Sequence, residues 1–243
     1  MLPVKVIRHQ DASESKCEQN EKVTVTQKGK IKNWEDLVND GDNYGGEDYS
    51  PLEKLLIESI KNKTILKIQD SFLFFKTGEQ DPAHGKNLAE LIARFNPLKD
   101  ITSLIVAHNG LGPDAVETLS ESPILTRIEY LHLGSNRLGD EGAKVIAQSK
   151  RWENLNYLNL ECNNIGLEGA RALAASPYLK QLTSLNLVDN RMGDEGVLAI
   201  ARSPLVEHLD YLHLGGNRLK DPSTKNSVKE SLQLAHIQTI KIF

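Results

Sequence analysis

Leucines recur at positions 104, 131, 158, 185 and 212, and asparagines at 109, 136, 163, 190 and 217, each series in steps of 27 residues. Two columns of five coincidences impose a repeat. A repeat of this length restricts the fold severely, because one unit cannot bury its own apolar face and must stack on its neighbours. One unit reads Leu131-x-Leu133-x-x-Asn136-x-Leu138, then Gly142-Ala143 and a helical apolar pattern through Val145-Ile146-Ala147. The next two read Leu158-x-Leu160-x-x-Asn163-x-Ile165 with Gly169-Ala170, and Leu185-x-Leu187-x-x-Asn190-x-Met192 with Gly196-Val197. The first copy (Leu104, Val106, Asn109, Leu111) and the fifth (Leu212, Leu214, Asn217, Leu219) keep the strand half. The fifth, reading Lys220-Asp221-Pro222-Ser223, loses the glycine-helix signature.

Each position has a physical reading. The L-x-L pattern alternates by two, as a strand does, with leucines inward and the intervening residue outward. The helical half returns the chain on the other side of the core. Asparagine suits the bend because its side chain carries both donors and an acceptor for backbone groups that leave the ladder. Ser-Pro at 122–123, 176–177 and 203–204 ends each helix, since proline cannot continue it and holds the preceding residue extended.

With LHLGSNRLGDEGAKVIA at 131–147 and LNLVDNRMGDEGVLAIA at 185–201, the chain resembles leucine-rich-repeat proteins of the ribonuclease-inhibitor-like subclass over about residues 100–220. The resemblance implies an α/β fold: a right-handed solenoid with a curved parallel sheet inside, helices outside and an N-terminal cap. Similar repeats occur in innate-immunity proteins, in GTPase-activating proteins and in effectors of intracellular bacterial pathogens such as Legionella. Ribonuclease inhibitors carry many cysteines in their turns, whereas every turn here has Asn at the bend, so nuclease inhibition is not implied.

Outside the regular repeats, Leu66-x-Ile68 reads as a further strand and 88–93 as a further helix. Leu66 to Leu104 spans 38 residues, and the surplus falls in 72–85. Phe72, Phe74 and Phe75 there suit either closure of the open core or an anchor for a partner, closure being the commoner use. Ser50-Pro51-x-Glu53 has the N-cap, first-turn proline and capping acid of a helix start, and this helix is expected to cap the solenoid. Residues 21–32 alternate like a hairpin. Thr239–Phe243 is expected to close the sheet as an edge strand, after a helix over roughly 223–235. The expected organisation is an N-terminal region with the capping helix (1–63), a degenerate first repeat with an insertion (64–100), the 27-residue repeats (101–222) and a C-terminal cap (223–243).

Composition narrows the function. Hydrophobic residues make up 39% and charged residues 26%, which is ordinary for a globular chain and excludes wholesale disorder. The 29 Lys+Arg against 33 Asp+Glu are spread evenly, 15 against 17 up to residue 100 and 14 against 16 after it. No basic half advertises nucleic acid. No apolar run is long enough for a membrane span, and the charged start is unlike a cleavable leader. A soluble, cytoplasmic, monomeric protein is expected, with passage into a host cytosol as the setting that resemblance to effectors implies. The two cysteines, Cys17 and Cys162, have no metal-ligand spacing and suit a reducing compartment.

Several catalytic patterns fail when tested. Six residues separate Gly78 from Gly85-Lys86, and Asn87 stands where a phosphate loop needs Ser or Thr. Asp40-x-Asp42 is followed by Tyr44 and Pro51 at ligand positions of a calcium loop. His132 and His213 are three turns apart, roughly 14–15 Å at about 4.8 Å per strand, too far to share a metal. No catalytic set, metal site or cofactor is expected.

What remains is the surface obtained by stacking the outward strand positions. One column reads Ser103, Tyr130, Tyr157, Ser184, Tyr211; the next Ile105, His132, Asn159, Asn186, His213; the third Ala107, Gly134, Glu161, Val188, Gly215. Tyrosines bring contact area at small entropic cost, while His and Asn add neutral hydrogen bonding. Tyr130, His132, Tyr157, Asn159, Glu161, Asn186, Tyr211 and His213 are therefore candidate residues for binding a protein partner on the inner curve. A plainer reading is that the tyrosines only stack on a wet sheet. A second row, Arg137, Arg191 and Arg218, suits a rim that grips carboxylates or phosphates, or else arginines paired with Asp140-Glu141, Asp194-Glu195 and Asp221. The function expected is non-catalytic protein binding. The alternative is a GTPase-activating protein that places Arg137, Arg191 or an inner asparagine at the nucleotide.

Overall fold

The computed structural model describes residues 5–6, 65–67, 84–231 and 237–242. The expected capping helix at Ser50, the hairpin over 21–32 and the Phe72, Phe74 and Phe75 cluster lie outside the described residues.

Strand and helix alternate along the repeats. After β1 (Lys5–Val6) and β2 (Ile65–Lys67) come α1 (His84–Arg94), β3 (Ser103–Ile105) and α2 (Pro113–Glu121). Then follow β4 (Tyr130–His132), α3 (Gly139–Gln148), β5 (Tyr157–Asn159) and α4 (Leu167–Ala174). The chain continues through β6 (Ser184–Asn186), α5 (Gly193–Ala201), β7 (Tyr211–His213), α6 (Pro222–Lys229) and β8 (Thr239–Lys241). The eight strands form one sheet in the order β1-β8-β7-β6-β5-β4-β3-β2, and every pairing is parallel. This is the α/β leucine-rich-repeat solenoid.

Register follows the period. Leu104, Leu131, Leu158, Leu185 and Leu212 lie directly opposite one another on successive strands. All five are 0% exposed, each contributing roughly 1.5–3 kcal/mol by burial. The long first connection keeps step, with Leu66 opposite Leu104. The helix expected after the fifth strand is present as α6, starting on Pro222 with Asp221 as N-cap instead of on a glycine pair. One expectation is corrected at the C-terminal end. β8 is not an edge, because the parallel strand β1 pairs with its outer side.

The asparagine column joins the turns. Asn190 Oδ1 accepts from the backbone N–H of Asn163 (3.0 Å) and Ile165 (2.9 Å), while its Nδ2 donates to the carbonyls of Leu160, Leu187 and Val188. Asn136 does the same for Asn109 and Leu111. In the intervening turns, Asn163 and Asn217 each accept one N–H, from Leu138 and Met192, at a longer 3.4 Å. A 54-residue alternation is therefore laid over the 27-residue repeat. Helices α3 and α5 begin at glycines in the left-handed region (Gly139 φ +58°, Gly193 φ +64°), whereas α2 and α4 begin after an extended glycine. The serines alternate too. Ser122, Ser176 and Ser231 donate to the helix-end carbonyls of Ala93, Ala147 and Ala201 in the preceding turn, but Ser203 bonds only within its own turn, to Ile200.

Because an unsatisfied buried backbone group costs roughly 1–3 kcal/mol, Asn190→Ala is expected to destabilise the protein by about 2–4 kcal/mol. Asn163→Ala, at the weaker alternate position, should cost less. Chemical denaturation of the two variants in parallel checks the order, and equal losses would contradict the two-turn unit.

Candidate functional site

Each of the repeat strands β3 to β7 is only three residues long, and this decides which side chains its inner face can offer. In a regular parallel ladder the N–H of Gly134 would meet the carbonyl of Val106, but Asn136 Nδ2 already takes that carbonyl. The side chain two residues back supplies the missing acceptor: Gly134 N–H donates to His132 Nδ1 at 3.1 Å. In the same way Glu161 N–H donates to Asn159 Oδ1 (2.9 Å) and Val188 N–H to Asn186 Oδ1 (3.1 Å). Leu133 O and Leu160 O, the acceptors those N–H groups would otherwise use, are held by Asn163 and Asn190.

This corrects the expectation for Asn159 and Asn186. Both lie on the inner face but are 4% and 8% exposed, and their carbonyl oxygens serve the backbone. Asn186 Nδ2 donates to Glu161 Oε2 at 2.8 Å, and Asn159 Nδ2 lies 3.4 Å from His132 Nε2. They are supports beneath the surface rather than contact groups.

The half-buried residues above them form the accessible part of the face. Tyr130 and Tyr157 occupy opposed positions on β4 and β5, their rings stacked with centroids 4.0 Å apart and planes 2° from parallel. Tyr211 stands two strands beyond Tyr157, with the small Ser184 between them. Its ring meets His213 edge-on at 6.3 Å, its hydroxyl lies 3.4 Å from His213 Nδ1, and Lys241 Nζ lies 5.7 Å from its centroid. Glu161 reaches back over Gly134, where a β-carbon would fall 2.8 Å from Glu161 Cγ and 2.7 Å from His132 Cε1. Glycine at 134 is thus what lets the carboxylate lie across the face.

The electrostatics follow from this placement. Burial, then a hydrogen bond with the Tyr157 phenol, then the nearby charges of Tyr157 and Glu161 push the Tyr130 phenol well above the usual tyrosine range. Tyr211 is raised by burial and then by Tyr157 and Glu161. Asp189, one turn beyond Glu161, is raised by burial and by the Glu161 charge.

The arginine row occupies a different place. Arg137, Arg191 and Arg218 are exposed on the loops beyond the asparagine column, with the backbones of Arg137 and Arg191 tied to the preceding turn through Leu111 O and Ile165 O. The expected pairing with neighbouring acids is not what those acids do. Asp140 accepts from Gly166 N–H (2.6 Å) and Gly169 N–H (2.9 Å) at the start of α4, and Asp194 from the N–H groups of Lys220 and Asp221. Glu141 pairs with Lys144 and Glu195 with Arg171, while Asp221 caps α6. The hydrogen bond from Thr224, followed by the Lys220 N–H, holds Asp194 below the usual carboxylate range. Carboxylates beside unsatisfied helix-start N–H groups gain more from them than from a solvated guanidinium. Cys162 offers no free thiol at this rim.

Lys241 and Ser184 belong to the face although sequence reasoning did not select them. The step from Tyr211 to Thr239 is 28 residues, so Lys241 falls out of the 27-residue column. Among the described residues no three His, Cys, Asp or Glu side chains converge as a metal site, and no helix is long and apolar enough to cross a membrane.

Comparison with known proteins agrees with the geometry. Residues 126–147, 153–174 and 179–201 match the family model for the leucine-rich repeat, so these segments are leucine-rich repeats. Domains of this kind generally mediate protein–protein interaction and are typically non-catalytic scaffolds. An internalin from Listeria monocytogenes is similar at 15% identity and TM-score 0.33, over 61% of this chain and 56% of its own, so the chain spans little more than half that protein's length. The actin-binding site 2 of leiomodin-1 is similar at 17% identity and TM-score 0.31, over 77% of this chain and 76% of its own. No curated protein matches.

The raised phenols fix the sign of an alkaline effect. The unfolded chain loses tyrosine protons near pH 10, whereas the folded chain holds them to higher pH, so stability is intact below about pH 10 and falls above it. Urea melts from about pH 8 to about pH 11 are expected to show a shallower loss for Tyr130→Phe than for wild type.

Proposed function

We propose that the chain is a non-catalytic module that binds a folded protein through its inner, concave strand face. One observation carries the reading: the Tyr130–Tyr157 stack, half-buried and seated on adjacent strands in strict register. Rings already ordered in the free protein lose little entropy on contact, and tyrosine supplies both apolar area and a hydroxyl. Tyr211 and His213 extend the same surface two strands further on. Support comes also from the repeats themselves, since stacked turns form extended binding surfaces.

The resemblance to repeat effectors of intracellular bacteria extends the proposal to a secreted protein that acts on a host protein. GTPase activation is the competing reading. It draws on Arg137 and Arg191, which are exposed, or on an inner asparagine.

The test is affinity capture with the double variant Tyr130→Ala/Tyr157→Ala. Loss of the stack should cost about 0.5–1.5 kcal/mol beyond the area the half-buried rings cover, so thermal melting is expected to fall while the variant stays folded at the assay temperature, and capture of the partner is abolished. Retained capture would remove the concave face from consideration. A captured small GTPase whose hydrolysis rate rises with added protein, and falls back with Arg191→Ala, would favour the enzymatic reading instead.

A further inference from the structure

Within the proposed binding face one subsite has a defined chemistry. Tyr157 and Tyr211 stand on strands two apart, with Ser184 on the strand between them. At about 4.8 Å per strand the gap at the sheet is about 9–10 Å, and the inward curvature of a concave sheet narrows it toward the rings. One face of Tyr157 is covered by Tyr130, which leaves its other face toward Ser184. The far side of Tyr211 carries the Lys241 ammonium, 5.7 Å from the ring centroid, so that ring already accepts a cation. Serine at 184 interrupts the tyrosine column and leaves a slot between two aromatic walls.

Glu161 is tied to the strand that floors the slot. Its Oε2 is held by Asn186 Nδ2 at 2.8 Å, so the carboxylate is fixed in place. Asn186 belongs to the same strand as Ser184. None of the ion pairs among the described residues involves Glu161. Its side chain spans from Gly134 on the turn before to Asn186 on the turn after, and its charge reaches Tyr130, Tyr211 and Asp189. An anchored, half-buried carboxylate that joins no ion pair among the described residues, on the same sheet face as the rings, is complementary to a planar cation.

We infer that the slot between Tyr157 and Tyr211, floored by Ser184 and bordered by Glu161, takes an arginine side chain presented by the protein partner. The guanidinium is flat enough to enter between the rings and carries several N–H donors for the carboxylate, whereas a lysine ammonium has no plane to stack. The inference rests on the binding role proposed for the concave face and specifies the chemistry of the partner's contact.

The probe is a blocked Gly-Arg-Gly peptide, titrated into the 15N-labelled full chain, with the citrulline and lysine analogues as neutral and non-planar controls. The arginine peptide is expected to shift the amides of Gly134, Ser184 and Asn186 and to bind roughly tenfold or more tightly than citrulline. Glu161→Gln keeps a carbonyl for Asn186 and should weaken arginine binding roughly tenfold. Ser184→Tyr should block it by filling the slot, with thermal melting confirming that both variants fold. Arg127→Ala, on the exposed loop paired with Asp100, should leave it unchanged. Equal binding of arginine and citrulline, shifts confined to other amides, or wild-type affinity in Glu161→Gln would each overturn the inference. The broader binding role is tested separately: partner capture lost in Tyr130→Ala/Tyr157→Ala but unaffected by Glu161→Gln refutes only the arginine slot. Capture retained in the double tyrosine variant refutes the concave face while leaving a measured arginine subsite in place.

Discussion

Asparagine side chains standing in for backbone are the constraint on which this structure depends. A turn of 27 residues must leave a strand after three of them and bend toward a helix, and at the bend several N–H and C=O groups lose their ladder partners. No water reaches them between stacked turns, so each needs a partner from the protein. The amide of Asn136, Asn163, Asn190 or Asn217 meets that need from the neighbouring turn, with its oxygen toward N–H groups and its nitrogen toward carbonyls. Stacking is therefore enforced by polar satisfaction as well as by the leucine column, and the turns are held in step by both.

That same substitution reaches the inner face. Each ladder asparagine occupies a strand carbonyl and displaces the N–H that would have used it. His132, Asn159 and Asn186 bend back to receive those N–H groups. Residues that face outward by alternation are in this way drawn into the backbone network, and the accessible part of the inner face consists of the tyrosines, the imidazole edges and Glu161. Side chains on such supports are held in place, which would lower the entropic cost of the contact proposed above. The charge of the face is also arranged by position: a carboxylate across it, Lys241 at one end, and the arginines on the loops beyond.

The pairing of turns gives the solenoid a longer unit than its leucines suggest. Asp140 and Asp194, 54 residues apart, both reach into the following turn and bond backbone N–H groups there. Gly139 and Gly193 accompany them with left-handed backbone, and Ser122, Ser176 and Ser231 close the opposite helix ends. Because these acids are occupied by backbone, Arg191 and Arg218 form no ion pair with them among the described residues.

Much of this was legible in the amino-acid sequence. The leucine and asparagine columns alone determined the parallel sheet, its register and the identity of the inward residues, because a strict period forces equivalent residues onto equivalent turns. The tyrosine column was legible for the same reason. The fates of Asn159, Asn186, Asp140 and Asp194 were not, since they depend on which backbone groups remain unpaired after the turns stack, and no count of spacings records that. Lys241 was hidden by a one-residue change of period, and the slot at Ser184 by the need to know that Tyr130 already covers one face of Tyr157. Periodicity decided which residues share a face; competition for hydrogen-bond partners between neighbouring turns, which exists only once they are in contact, decided which of them are available to bind.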